Sequence, residues 1–279
     1  MLIHTVFLRY PGFKQKAVTF SYDDDVVFNF RLKDMFDKYG AKATFNLNGG
    51  LFAEKPSDGR IATLEDTVRI LGDGNHEIAL HGFYHKSLGL LEKATGLYDI
   101  LQDRAALESA FGRIIRGMAY ANGSVNEQVA ENLRLNGIKY ARTVKSTYDF
   151  HYPQDWLMWN PTCHHNDPKI FELIDNYLNL KQRPPYAVPL VFYIWGHSYE
   201  FEDCDNWGRM ENILEKLNEK KDDLFFATNG YLYDYVTGFD RLELSLDNTV
   251  IYNPTSTDYY LEVEYKNYLL KAGSVLKID

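Results

Sequence analysis

The alternation of short apolar segments with longer amphipathic segments constrains the fold of this chain more than any other feature. Apolar segments typical of buried strands cover 17–22, 42–48, 76–82, 114–120, 138–144, 189–195 and 224–229. Nearly continuous apolar strands that alternate with helices are characteristic of parallel sheets covered on both faces. The pattern therefore predicts an α/β fold, either a parallel sheet or a barrel, with functional side chains where the strands end.

Polar residues in front of the amphipathic segments predict where several helices begin. Thr63 and Ser124 each precede an acidic residue by three positions, which is the capping-box pattern. Asp167 precedes a proline, which predicts an N-cap followed by the first helical residue. Asp25 is placed to cap the helix after the first strand. Helices are expected from residue 28, over 63–71 and 95–112, from 124 to 137, from 167 onward and over 206–220.

The last part of the chain has a different pattern, because short β-type segments with Asn-Pro and Ala-Gly punctuation replace the strand–helix alternation. A unit of about forty residues buries too little surface to fold alone. We therefore expect an α/β domain over 1–238 and a small β-rich C-terminal appendage over 239–279 that docks on it.

Charge and hydropathy exclude several classes of partner. The chain has 39 acidic and 30 basic residues, a net charge of −9, which argues against a nucleic-acid or anionic membrane surface. Its longest apolar run, 188–195, is far shorter than the roughly 20 residues of a spanning helix. The first residues lack the basic start and cleavage site of a signal peptide. We expect a cytoplasmic protein, and the two cysteines cannot form a disulfide framework.

Two carboxylates, Asp23 and Asp24, follow the first predicted strand directly. Like charges so close at an apolar strand end are costly unless a positive group lies beside them. A metal ion would satisfy that requirement, although one of the aspartates in this stretch could simply cap the next helix.

A histidine pair, His81 and His85, lies at the end of the third predicted strand. A spacing of four places both imidazoles on one face of a helical turn, close enough to share a metal. The alternative is a pair of partly exposed loop histidines. One carboxylate and two imidazoles would leave coordination positions open, as catalytic metal sites do.

Four blocks, TFSYDDD, NHEIALHGFYH, RGMAY and WGHS, together resemble the motifs of polysaccharide deacetylases of the NodB-homology type, carbohydrate esterase family 4. The resemblance covers 17–236. It implies a distorted (β/α) barrel and a divalent metal, Zn²⁺ first with Co²⁺, Ni²⁺ or Mn²⁺ as alternatives, held by Asp24, His81 and His85. It also implies that Asp23 is the catalytic base and that 1–238 is the catalytic domain.

The looser blocks carry further implied roles. By the resemblance, Arg116 orients the base and the backbone N–H of Tyr120 helps to hold the oxyanion. His197 would be the general acid, and the fourth block would fall at Asp155 and Trp156, which face the substrate. Arg116 as a surface ion pair and His197 as a core histidine are the alternatives.

This sequence departs from the family pattern at two positions. Asp25 stands where a glycine normally follows the aspartate pair, and Ala119 replaces the usual proline of the third block. Neither change removes a reacting group, and both indicate a divergent branch.

Other aromatic and metal-ligand types have more than one interpretation. Trp156, Trp159 and Trp195 either line a sugar-binding groove or pack in the core. The Cys-His-His run at 163–165 could suggest a second metal site, but a substrate-facing loop or a structural turn fits it as well.

Amide hydrolysis needs an activated water, a site for the oxyanion and a proton for the departing amine, and the candidate residues supply these. The expected activity is a metal-dependent hydrolysis of N-acetyl groups, or O-acetyl groups, on a carbohydrate polymer or oligosaccharide. A hydrolase of small cyclic amides is the second hypothesis, and a carbohydrate-binding protein without turnover is the third. Retention of Asp23 argues against the third, because a binding protein is free to lose the base.

Overall fold

A computed structural model describes residues 4–55, 59–181 and 188–278. The strands are β1 Val6–Arg9, β2 Lys16–Asp23, β3 Ala43–Leu47, β4 Glu77–Leu80, β5 Gly117–Ala119, β6 Tyr140–Arg142, β7 Cys163–His164, β8 Leu190–His197, β9 Leu224–Phe226, β10 Glu243–Leu244, β11 Val250–Tyr252, β12 Tyr259–Val263, β13 Lys266–Leu270 and β14 Val275–Lys277. The helices are α1 Phe28–Tyr39, α2 Leu64–Leu71, α3 Lys93–Phe111, α4 Glu127–Leu135, α5 Ile170–Asn179, α6 Tyr199–Asp203, α7 Trp207–Asn218 and α8 Asn229–Phe239. Short 3₁₀ turns cover Leu88–Leu90, Ala121–Gly123, Trp156–Met158 and Lys221–Asp223.

A parallel sheet in the order β6-β5-β4-β3-β2-β8-β7 forms the centre of the molecule, and β9 pairs with the first part of β2. The sheet curls into a half-barrel that helices cover. A parallel bridge between Arg142 and Trp159 joins β6 to the segment before β7. The predicted α/β fold with a distorted barrel is therefore confirmed, and the carboxyl ends of its strands face one side.

Continuous burial of β2 explains why this strand occupies the middle of the sheet. From Ala17 to Asp23 every residue of β2 is buried, as the apolar run predicts. Helix α1 packs on the sheet through Leu32 and Phe36, and Phe36 contacts the ring of Phe20 at 4.7 Å. Burial of side chains of this size contributes about 1.5–3 kcal/mol each.

Two of the predicted capping signals have different outcomes. The hydroxyl of Thr63 accepts the backbone N–H of the residue three positions later, so this cap of α2 is confirmed. The expectation for Ser124 is wrong, because Asn126 caps α4 and the Ser124 hydroxyl accepts the N–H of Gly89 instead. Asparagine is as good an N-cap as serine, and it lies next to the first helical residue.

The two aspartate caps are also corrected. Helix α1 has Val27 at its N-cap position, while the Asp25 carboxylate accepts the N–H of Asn48 at 3.0 Å. Asp167 accepts the N–H of Lys169 at 2.8 Å and so forms a turn just before α5, whose N-cap makes no side-chain bond. In both cases the carboxylate accepts a hydrogen bond outside the helix: Asp25 from the residue after β3, and Asp167 from a residue of a local turn.

Two three-stranded antiparallel sheets, β1-β12-β13 and β10-β11-β14, contain the β segments that end the chain. The first strand thus pairs with residues more than 250 positions away, which the sequence did not predict. The turn at 247–249 also bonds both ends of the described chain, since His4 donates to Asp247 and Ile278 donates to Thr249. The division at residue 238 stays a prediction.

The helices of the described ranges do not include one long and apolar enough to cross a membrane. The longest of them, α3, has 19 residues and carries the buried aspartates Asp99 and Asp103. A cytoplasmic location stays a prediction.

Candidate active site

Asp23 and Asp24 lie where the central strand β2 ends, and the neighbouring strand β3 holds both. Asn46 of β3 donates its side-chain N–H to Asp23 Oδ1 at 2.8 Å, and its carbonyl accepts the Asp24 N–H at 3.1 Å. Asp24 has a φ of 76°, a left-handed conformation that aspartate tolerates better than most residues. The chain therefore turns sharply between the two carboxylates, which leaves Asp23 buried and Asp24 partly exposed.

The two histidines approach Asp24 as the sequence predicts. His81 follows β4 directly and its Nδ1 donates to the Ala119 carbonyl at 2.9 Å, which leaves the lone pair on Nε2. That Nε2 lies 3.7 Å from Asp24 Oδ1, and His85 Nε2 lies 3.6 Å from the same oxygen. One ligand atom from each residue lies within 4.8 Å of the others. These donors suit a divalent cation such as zinc.

Arg142, the last residue of β6, forms a buried ion pair with Asp23. Its Nη2 donates to Asp23 Oδ2 and its Nε donates to the Ser21 hydroxyl at 3.2 Å. Burial opposes ionisation of Asp23, but the charge of Arg142, with smaller contributions from the neighbouring histidines, outweighs it and lowers the pKa to about 2. Asp23 is therefore a carboxylate at neutral pH.

The expectation that Arg116 orients Asp23 is wrong. Arg116 precedes β5 and therefore lies at the amino edge of the parallel sheet, whereas Asp23 lies at the carboxyl edge. Its guanidinium donates twice to Asp234 of α8, at 3.0 and 2.6 Å. Arg142, and not Arg116, is the arginine that contacts Asp23. The usable signal in the sequence was an arginine in the second half, not the first half, of a predicted strand.

The backbone N–H of Tyr120 is also committed elsewhere. It donates to the Arg142 carbonyl at 3.0 Å, and the Tyr120 hydroxyl donates to the Leu157 carbonyl at 2.8 Å. The predicted oxyanion donor is therefore corrected, because this N–H joins the chain beyond β5 to β6.

His197 ends β8, directly opposite Asp23 in the sheet register. Its Nε2 lies 3.9 Å from Asp23 Oδ2, and its Nδ1 lies 3.4 Å from Glu200 Oε1. Burial disfavours the protonated imidazole, but the Glu200 hydrogen bond and the charges of Asp23 and Asp24 outweigh it and raise the pKa of His197 above its usual value. Sequence reasoning missed Glu200, although it stands three residues after His197.

Glu200 also contacts the two histidines of the Cys-His-His run. His164 Nε2 lies 3.2 Å and His165 Nε2 lies 2.9 Å from Glu200 Oε2, and these contacts, working against burial, hold the pKa of Glu200 well below its usual range. His164, His197 and Glu200 bring three potential metal ligands together. However, His164 Nδ1 accepts the Asn166 N–H at 3.1 Å, so its proton lies on Nε2 and points at Glu200. That geometry favours a hydrogen-bonded network over a second metal site.

The remaining member of this run, Cys163, is buried in β7 and forms no disulfide. Burial raises the pKa of its thiol to about 12, so it stays protonated at neutral pH. Cys163 is fully buried and packs in the hydrophobic core, so we assign it a structural role.

The predicted substrate residues are divided between the core and the site. Trp159 is buried, and Trp156 packs on it at 4.9 Å and on Tyr233 of α8, so both belong to an aromatic core cluster. Asp155 caps the 3₁₀ turn that begins at Trp156. Trp195, by contrast, lies over the Arg142 guanidinium at 4.3 Å and is the tryptophan beside the site. The substrate role predicted for Trp159 is therefore corrected.

The half-barrel and the position of its polar cluster define a NodB-type α/β fold with a candidate active site at the carboxyl ends of β2, β4, β6 and β8. Residues 11–141 match the family model described as polysaccharide deacetylase, and this range includes Asp23, Asp24, His81 and His85. The match covers a little under half of the chain and supports the resemblance to polysaccharide deacetylases that the sequence motifs predicted. No protein with a curated function matches it significantly.

Solved structures of this fold are similar over most of the chain at low identity. A protein of Mycobacterium smegmatis assigned to the polysaccharide deacetylases has a TM-score of 0.60 and 17% identity, over 86% of this chain and 96% of that one. A family 4 acetyl xylan esterase of Clostridium thermocellum, in complex with a cobalt ion, has a TM-score of 0.52 and 17% identity, over 80% of this chain and 92% of that one. A family 4 pseudoenzyme of Bacillus anthracis has a TM-score of 0.52 and 16% identity, over 82% of this chain and 68% of that one. At these identities the similarity shows the fold.

Proposed function

We propose that this protein is a metal-dependent deacetylase that hydrolyses N-acetyl groups, or O-acetyl groups, on a carbohydrate. The observation that carries this proposal is the approach of Asp24, His81 and His85 from two strand ends, with Asp23 ionised beside them. The match to the family model supports the reaction class, and the cobalt ion bound by the esterase of Clostridium thermocellum supports the choice of a divalent metal.

The donor set fits a catalytic rather than a structural metal site. His81 is fixed in the tautomer that presents Nε2, because its Nδ1 proton is held by the Ala119 carbonyl. Three protein ligands leave at least one position open in a tetrahedral site. A divalent cation there would supply Lewis acidity for the water and for the acyl group.

The residues of the chain supply the proton transfers. Asp23 is the acceptor, because Arg142 and Asn46 keep it ionised and hold both of its oxygens in place. His197 is the donor to the departing amine or alcohol, because Glu200 Oε1 lies 3.4 Å from its Nδ1 and its Nε2 faces Asp23. A general base and a general acid thus flank one space at the strand ends, as hydrolysis requires.

An acetylated carbohydrate is the proposed substrate, and a small cyclic amide on the same site is the alternative. An aromatic ring beside the site favours the sugar, because the partly exposed Tyr199 ring lies 5.1 Å from the ring of His197. Such rings provide apolar faces against which a pyranose packs. We propose no nucleic-acid or membrane partner.

Acetate release from acetylated chitin oligomers, peptidoglycan fragments, acetylated xylan and small cyclic amides tests the reaction and the substrate together. Exhaustive chelation is expected to abolish activity, and Zn²⁺ or Co²⁺ is expected to restore it. Unchanged turnover by the metal-free protein would refute metal dependence, and turnover of the cyclic amides alone would favour the alternative substrate.

Substitution of Asp23 separates the base from the ligands. Asp23→Asn is expected to retain bound metal and to lose about 10²–10⁴ in turnover, because the amide cannot accept the proton. His81→Ala is expected to lose the metal itself, whereas the exposed His151 provides a matched control, His151→Ala, that keeps both metal and activity. Loss of metal in Asp23→Asn would instead make Asp23 a ligand.

A further inference from the structure

Four consecutive backbone N–H groups, at residues 81–84, point at two carboxylates of α3. Asp103 Oδ2 accepts from His81 at 3.1 Å and from Gly82 at 2.8 Å. Asp99, one helical turn earlier, accepts from Phe83 at 2.9 Å and from residue 84 at 3.3 Å. The second oxygen of Asp103 accepts the N–H of Gly49 at 2.6 Å. Two side chains of one helix therefore hold the segment that separates the two histidine ligands.

This segment lacks regular structure of its own. After β4 ends at Leu80, the chain forms no helix or strand until the 3₁₀ turn at Leu88–Leu90. Gly82 has a φ of 85° and His85 a φ of 54°, so this segment contains two left-handed backbone conformations. Buried N–H groups outside regular structure need acceptors.

We propose that Asp99 and Asp103 are positioning residues that hold the 81–85 backbone in the conformation that lets both histidines face Asp24. This inference rests on the proposed function, because it concerns the metal affinity of that site. The carboxylates touch no ligand side chain, and they act on the backbone that carries the ligands. They would raise metal affinity because they keep this segment ordered in the metal-free protein, so that metal binding does not have to order it.

Each of these two side chains accepts hydrogen bonds through both of its oxygens. Asp103 uses one oxygen for Gly49 and the other for His81 and Gly82, so all its partners are donors. In Asp103→Asn the side chain keeps its size, but its NH₂ group must face one of these N–H groups. The His81 N–H also donates to the Leu47 carbonyl, so Gly82 is the donor that depends most on Asp103.

Metal affinity is the measurement that tests the proposal. Metal-free wild type, Asp103→Asn and Asp99→Asn would be titrated with Zn²⁺ against a chromophoric chelator, with the exposed Asp175→Asn of α5 as the matched control. Both α3 variants are expected to bind Zn²⁺ about 10–100-fold more weakly, with kcat at saturating zinc close to that of the wild type. The control is expected to bind as the wild type does. An unchanged Kd in both folded variants would overturn the proposal.

Two further readouts separate a positioning role from a general loss of stability. The visible absorption spectrum of the Co²⁺-loaded variants is expected to change, and amide hydrogen exchange at 82–84 is expected to accelerate before exchange in β2 or α1 does. Exchange at 82–84 that stays at the wild-type rate would also overturn the proposal. Asp99→Asn provides this test if Asp103→Asn fails to fold. A wild type that binds no metal would refute the proposed function, while the exchange rates would still decide the positioning role.

Discussion

Replacement of Arg142 and Arg116 by methionine tests which arginine serves the catalytic base. Methionine retains most of the length of the side chain and removes its charge. The Arg142 side chain is 0% exposed and Asp23 is 3% exposed, so Arg142→Met leaves a buried carboxylate without its cation. Breaking a buried ion pair in this way costs about 3–5 kcal/mol. Arg116 and Asp234 are 40% and 49% exposed, and such surface pairs contribute about 0–1 kcal/mol.

We also expect Arg142→Met to lower kcat/KM much more than Arg116→Met does. Without Arg142, burial is the main influence left on Asp23 and raises its pKa, so less of the base is ionised. The carboxylate also loses the hydrogen bond that fixes its orientation. If about 3–4 kcal/mol of the pairing energy acts on the transition state, kcat/KM falls about 10²–10³-fold. Arg116→Met is expected to keep kcat/KM within about threefold of the wild type, because it removes only an exposed ion pair with Asp234.

The assay is acetate release by the zinc-loaded proteins, with thermal unfolding measured on the same samples to show that each variant is folded. Domains of this kind have about 5–15 kcal/mol of stability, so Arg142→Met can remain folded at 25 °C. Arg142→Lys, which restores a charge without the planar fork, is expected to recover part of the activity. Retention of wild-type kcat/KM by Arg142→Met, or an equal loss in Arg116→Met, would refute the reasoning.

Two other expectations concern the network around Glu200. Glu200→Gln removes the charge that helps to raise the pKa of His197, so the alkaline limb of the pH–kcat/KM profile is expected to move to lower pH; an unmoved limb would exclude His197 as the acid. In Gly196→Ala the new Cβ would meet the His165 ring at 2.0 Å, and this overpacking is expected to cost about 1–3 kcal/mol in denaturant unfolding. Gly208→Ala, where no atom lies within 4 Å, is the control, and equal stabilities of the two variants would contradict the clash.

The sequence predicts the parts of the site that follow from strand ends. Asp24 and His81 come directly after buried apolar runs, and parallel strands bring their carboxyl ends to one edge, so their approach could be anticipated. Arg116 was assigned from its place in a motif, and the motif does not say at which end of the strand a side chain lies. Arg142 lies outside these motifs and in the second half of its predicted strand. Glu200 belongs to the short helix α6, which the apolar pattern does not signal.

The parts that the sequence does not predict depend on contacts between distant segments. The pairing of β1 with β12 joins residues more than 250 positions apart, and nothing local in Val6–Arg9 specifies a partner. The aspartates of α3 read as ordinary acidic residues of an amphipathic helix. Their function is visible only when the backbone of 81–84 lies against them.

The turn at 247–249 brings the first and last described residues to one place, because His4 and Ile278 bond to neighbouring residues of that turn. A short linker could therefore join residue 4 to residue 278, and new ends could be opened in an exposed loop elsewhere. Rearrangements of this kind are tolerated when the original ends are adjacent. Modules joined at residue 4 and at residue 278 would lie side by side, so two modules could be held as neighbours without spanning the barrel.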